Sequence, residues 1–324
     1  MSEDTASSGS LAQRVGSWAN IIAPVSVLSA LLFYFGYVSS RAQYEYFGID
    51  VDSIGLGTQE YIMRSPQPLL VPLLVLTLLG VSGLALDAVV RRHVSITVES
   101  STRRLTHIQL VIGLARTVGL VMLAAGILML FAYAYFQSWV AYALATPLLI
   151  ATGAGLAAYA SRTSDRVQDQ LPRPPSHGSA QYPTQPISQP EQGNPAGSAT
   201  LRRAATIMGY VLVAVSIFWA TATLAEWTGR GRAQDQAQHL DRLPRVILDT
   251  KERLFLRSPG IEESSLPAAE GQTFHYRYRN LRLLIVGHDR MFIVPEQWSA
   301  SNTTLVVPID DSVRVQFQFQ NQRP

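Results

Sequence analysis

Five runs of apolar residues, each about as long as a membrane is thick, constrain this chain more than any other feature. They cover residues 21–38, 69–90, 117–136, 139–159 and 204–225. Crossing a hydrocarbon core of about 30 Å at 1.5 Å per residue takes about 20 helical residues, and a helix satisfies its backbone polar groups without water. The third run is started just after Arg116, so that the guanidinium snorkels to the interface. Composition agrees, because 48% hydrophobic and 15% charged residues are too greasy and too charge-poor for an ordinary soluble chain. The N-terminus carries Glu3 and Asp4 in place of a basic stretch, so the first apolar run is expected to stay as an anchor.

Arginine gives the orientation, since basic connections resist translocation. Arg91, Arg92, Arg103 and Arg104 follow the second run, and Arg162, Arg166, Arg173, Arg202 and Arg203 lie between the fourth and fifth. With Arg14 they mark the cytoplasmic side, against only Arg41 and Arg64 in loop 39–68 and an uncharged Gln137-Ser138 turn. The expectation is a multi-pass inner-membrane protein with a cytoplasmic N-terminus and an extracytoplasmic C-terminus. Tyr34, Tyr37, Tyr133, Tyr135, Trp139 and Trp227 cluster at the outward ends, where amphipathic rings favour the headgroup layer.

The fold class that follows is a membrane all-α bundle of about five transmembrane helices with a C-terminal extracytoplasmic β-rich domain. Residues 1–160 form a four-helix region with outer loop 39–68, 204–227 the fifth span, and 228–324 the β-rich domain. Between them, 161–203 reads as a disordered cytoplasmic linker. Seven prolines between 161 and 200, with few large aliphatics, leave little to bury. Two P-x-x-P matches, at Pro172 and Pro183, are what so proline-rich a stretch gives by chance. Residues 232–243 read as a short polar helix stopped by Pro244. Strands are expected at 246–248, 273–278, 281–286, 291–294, 304–308 and 312–320, with Gly287-His288-Asp289 as a hairpin loop and a meander from Tyr276 onward. In the last strand Val313, Val315, Phe317 and Phe319 alternate with polar residues, which puts Phe317 on a buried face and Gln318 opposite.

Residues that carry chemistry are sparse. The chain has no cysteine, which excludes disulfides and thiolate sites, and its six histidines lack metal-ligand spacing. No nucleophile elbow or phosphate loop occurs, and Gly80-Val81-Ser82-Gly83 falls inside a span with no partner base. No catalytic, cofactor-binding or metal-binding residue is therefore assigned. A net charge of +3, almost all of it from arginine since Lys251 is the one lysine, gives no reason to expect nucleic acid. Asp87 is expected to pair with Arg91 four residues on. Two features stand out as candidate contact surfaces. Ala151, Gly153, Gly155 and Ala157 give small-xxx-small spacings that allow close helix approach, within the chain or in a homo-oligomer. Loop 39–68 gathers Tyr44, Tyr46 and Phe47 before Asp50 and Asp52. These five are expected either to lie in the headgroup layer or to pack on the C-terminal domain, with any ligand or partner site at that junction.

Tyr44 to Asp50 after the first span, together with 281–295 and 304–319, resembles a group of uncharacterised actinobacterial multi-pass membrane proteins. The resemblance implies a membrane protein and transfers no functional residue. The function expected is a non-enzymatic extracytoplasmic sensing, scaffolding or accessory component, with the lipid bilayer and a protein at the outer face as partners. The alternatives are an oligomeric pore or transporter, and an outer-face enzyme acting on a lipid or envelope substrate through dispersed groups such as His275, His288 and Asp289.

Overall fold

A computed structural model describes residues 4–98, 102–136, 139–170, 195–267, 269–299 and 301–318. Its helices are α1 (Asp4–Glu45), α2 (Thr58–Arg64), α3 (Pro66–Val98), α4 (Thr102–Phe131), the single turn α5 (Tyr133–Phe136), α6 (Tyr142–Gln170) and α7 (Pro195–Gln238). Among the described residues, five stretches are long and apolar enough to cross a membrane: Ala23–Glu45, Pro66–Val90, Leu110–Phe131, Tyr142–Ser164 and Arg203–Gln238. Three differences from the sequence reading concern helix ends. α4 runs unbroken through Arg116. The separate polar helix at 232–243 does not exist, because α7 continues without interruption to Gln238 and a 3-10 turn, Leu240–Arg242, precedes Pro244. Helix covers both ends of the stretch 161–203, extending to Gln170 and resuming at Pro195; residues 171–194, with both P-x-x-P matches, lie outside the described residues.

The chain divides into two compact units, Leu73–Thr223, and Met1–Pro72 with Leu224–Pro324. In the first, α4 and α6 run antiparallel with backbones close enough to exclude side chains. A Cβ on Gly119 would lie 2.9 Å from Gly153 O and 2.8 Å from Ala157 N, and one on Gly153 would lie 2.5 Å from Leu123 N. Gly153 and Ala157 thus face α4 within the same chain. Gly155 turns toward Val213 of α7, and Ala151 is half-buried. On α3, Leu73, Leu74, Leu78, Leu79, Leu84 and Leu86 are exposed, as in a helix whose surroundings are themselves apolar. Asp87 accepts a hydrogen bond from the Tyr159 hydroxyl at 3.3 Å; the Arg91 side chain expected beside it lies outside the described residues.

The second unit contains an antiparallel sheet in the order β5-β4-β3-β1-β6, from β1 (Arg245–Thr250), β3 (Tyr276–Val286), β4 (Arg290–Pro295), β5 (Leu305–Pro308) and β6 (Val313–Gln318). The short β2 (Glu262–Ser265) pairs with the first half of β3. β3, β4 and β5 form the expected meander, and β6 then crosses back to pair with β1. The two strands expected at 273–278 and 281–286 are one, bent at Asn280, whose positive φ of 61° marks an irregularity in its pairing with β1. β4 is buried on both faces. Met291 and Ile293 join Val246, Leu248, Tyr278 and Leu281 under the segment carrying Leu256 and Ile261, while Phe292 and Val294 face loop 39–68. One expectation fails at the residue level. Phe317 is 60% exposed, because β6 is an edge strand and only Val313 and Val315 reach the core. Arg282 on β3 is buried, donating to the carbonyls of Asp241 (3.1 Å) and Leu243 (2.8 Å) and pairing with Glu296.

Candidate functional site

The residues singled out in loop 39–68 come together with the sheet and the end of α7. α1 ends where Gly48 takes a left-handed conformation (φ 73°), so that Gly48 N–H donates to Glu45 O and Ile49 N–H to Tyr44 O, each at 3.0 Å. This pattern reverses the chain and brings Ile49 back over Tyr44, and both are buried. Asp50 then caps the 3-10 turn Val51–Ile54, its carboxylate accepting from Asp52 N–H at 3.2 Å. Asp52 accepts from the Tyr37 hydroxyl at 3.4 Å. Both carboxylates therefore serve the loop's own geometry, and no cluster of potential metal ligands occurs among the described residues.

Tyr44, Phe47, Ile49, Val51, Ile54 and Tyr61 form one buried cluster with Ala233, Ala237 and Leu240 from the end of α7 and its following turn, and with Leu284, Ile285, Phe292 and Val294 from the sheet. Burial pushes the Tyr61 hydroxyl up to about 12, so it stays protonated and neutral. Two polar contacts lock the register: Thr304 Oγ1 donates to Phe47 O at 2.6 Å, and His288 N–H donates to Ile54 O at 3.2 Å. Gly287 is required beside the second, since a Cβ there would stand 2.3 Å from Ile54 O. Helices α1 and α7 approach as closely. A Cβ on Gly229 would meet Ser39 O at 2.1 Å, and Gln43 donates to Gln236 Oε1 at 2.8 Å. At the rim, Trp298 stacks on Tyr46 (centroids 5.7 Å apart, planes at 22°) and meets the edge of Phe47 at 5.1 Å.

Arg232 is the residue that sequence reading missed. It sits on α7 close enough to Tyr44 and Arg64 to feel both, and its Nε and Nη2 are buried with no hydrogen-bond partner among the described residues. Arg64 is spoken for, donating to the Tyr44 hydroxyl at 2.7 Å. The only sequence signal was an arginine beyond the fifth apolar run, which reads equally well as solvated. The dispersed polar candidates for envelope chemistry do not converge. His275 Nδ1 lies 3.2 Å from Lys251 O at one end of β3, and Asp289 pairs with Arg290 at 2.7 Å beyond the other. Eleven strand residues separate them, roughly 36 Å at 3.3 Å each.

Searches of protein-family models, curated proteins and solved structures find no match to this chain. The functional reading rests on the geometry.

Proposed function

We propose that this chain is an integral inner-membrane protein whose loop-and-sheet module lies on the extracytoplasmic side and serves as a sensing, scaffolding or accessory component. The observation that carries this reading is the cluster joining loop 39–68, the end of α7 and the sheet. A sheet held to the ends of two apolar helices by more than a dozen interlocked side chains moves those helices whenever its own state changes. Such a module suits transmission or anchoring better than turnover. The half-exposed Tyr46 and Trp298 pair at its rim offers a protein partner large rings with polar edges, the chemistry that dominates contact energies.

The side of the membrane is supported by the arginine distribution and is tested by reporter fusions after Gly193 and after Gln320, expected to report cytoplasm and exterior respectively. Both fusions reporting the same side would remove the fifth span as a crossing segment. The non-conducting role is tested by reconstituting purified protein in liposomes, where ion flux no higher than that of empty vesicles is expected. Flux above that level would replace this reading with an oligomeric pore.

A further inference from the structure

Within the unit Leu73–Thr223, a cleft of about 540 Å³ opens between α4, α6 and the first half of α7. Its size lies in the range of small-molecule sites, about 300–1,000 Å³. It exists because the residues facing it are small: Ala154, Ala157, Ala158 and Ser161 on α6, and Ala205 and Gly209 on α7. Among the described residues, its one charged lining residue is Arg116, and no acidic side chain lines it.

Helix register shows how polarity is graded along this cleft. Gly119 opposes Gly153 and Ala157, Gly209 opposes Ala158, and Gly155 opposes Val213. α6 is therefore antiparallel to both α4 and α7, and Arg116, Ala158 and Gly209 lie at one level. Ser161, Ser164 and Thr206 lie on one side of that level, toward the ends of the apolar stretches. Leu120, Leu123, Ala154 and Leu212 lie on the other, toward their middle. Arg116 itself lies within the apolar part of α4, with Leu110, Val111, Ile112 and Leu114 before it. A cation among the apolar residues of a membrane span needs a counter-charge or water. Hydroxyls at the mouth, a cation below them and an aliphatic floor together match a molecule with an anionic head and an apolar tail.

We propose that this cleft binds a membrane phospholipid with an anionic headgroup, its phosphate against Arg116 and an acyl chain over Leu120, Leu123, Met208 and Leu212. Ser161 spends its hydroxyl proton on Ala157 O at 2.9 Å, so charge recognition falls to Arg116. Delipidated full-length protein mixed with phosphatidylglycerol, phosphatidylcholine or glycerol phosphate is read by native mass spectrometry. Wild type is expected to retain phosphatidylglycerol over the other two, Arg116→Gln to lose that preference, and Arg116→Lys to keep it. Lipid held by the arginine-rich connections is unaffected by Arg116→Gln, so the difference between the two proteins is the readout. Equal retention of both lipids by wild type, or unchanged preference in Arg116→Gln, overturns the proposal. Retention of glycerol phosphate as strong as that of the lipid overturns it in favour of a free phosphate. Ala205→Leu fills the cleft without altering charge and decides the matter should Arg116→Gln not purify: lost retention supports the site, and unchanged retention overturns it.

Discussion

Asp249 has no exposed side-chain surface and lies directly across from Arg277 on β3 and Arg314 on β6. Burial alone would raise its carboxyl, but hydrogen bonds and positive charge from the two arginines hold it below the usual carboxylate range. A depressed acid contributes stability that is complete above the unfolded value near pH 4 and is lost as pH falls through the folded one. Acid melts of the full chain should therefore show the sheet loosening below about pH 4. Asp249→Asn should remove part of that acid dependence and cost about 1–3 kcal/mol at neutral pH, because the charge-assisted hydrogen bonds to two partly exposed arginines are weakened. Phe317 and Phe292 make a sharper pair. Truncating the buried Phe292 to Ala should cost about 3–5 kcal/mol, whereas Phe317→Ala on the open edge strand should be nearly silent. Alternation puts Phe317 in line with Val313 and Val315, but β6 is the edge strand among the described residues, so the buried face expected for Phe317 is left open. Arg232 is predicted to behave in the opposite sense. Arg232→Met removes a half-buried guanidinium whose Nε and Nη2 lack a partner among the described residues and should leave the melting temperature unchanged or raised; a marked drop would show that Arg232 holds a partner of its own.

Elements were legible where one periodicity dominated. The apolar runs announced the long helices, and β-branched and aromatic runs announced most of the sheet. β2 was invisible because Glu262-Glu263-Ser264-Ser265 carries no strand-forming side chain and is set by its pairing to β3. The run Met291-Phe292-Ile293-Val294 reads only as a strand; that both its faces are covered, one of them by loop 39–68, shows in the structure alone. Small residues on α7 were likewise readable only with the partner in view: Ala225, Gly229, Ala233 and Ala237 recur every four residues, and three of them are buried alanines. Gly229→Val should therefore force α1 away and lower the melting temperature clearly. Gly231→Val, where an added Cβ meets nothing within 4 Å, serves as the control and should change it little.

At the scale of the molecule, the loop-and-sheet junction predicts a cross-link. Cysteines at Tyr46 and Trp298, in a chain with none of its own, should be joined by a short bismaleimide reagent, while pairing Tyr46 with the exposed Gln318 should give far less product. Gel mobility after denaturation reads the result, and equal yields from both pairs would dissolve the junction. The contact between Phe47 and Thr304 also joins positions 257 residues apart. During synthesis at about 5–20 residues per second, the loop must wait roughly 13 to 50 s for the strands that cover it. Through that interval Phe47, Ile49, Val51 and Ile54 have no sheet to bury them. A nascent chain stopped before β3 should show protease cleavage within 39–68 that the folded chain resists, so closure of this module is a moment at which a copy lacking its strands is distinguishable from one that has them.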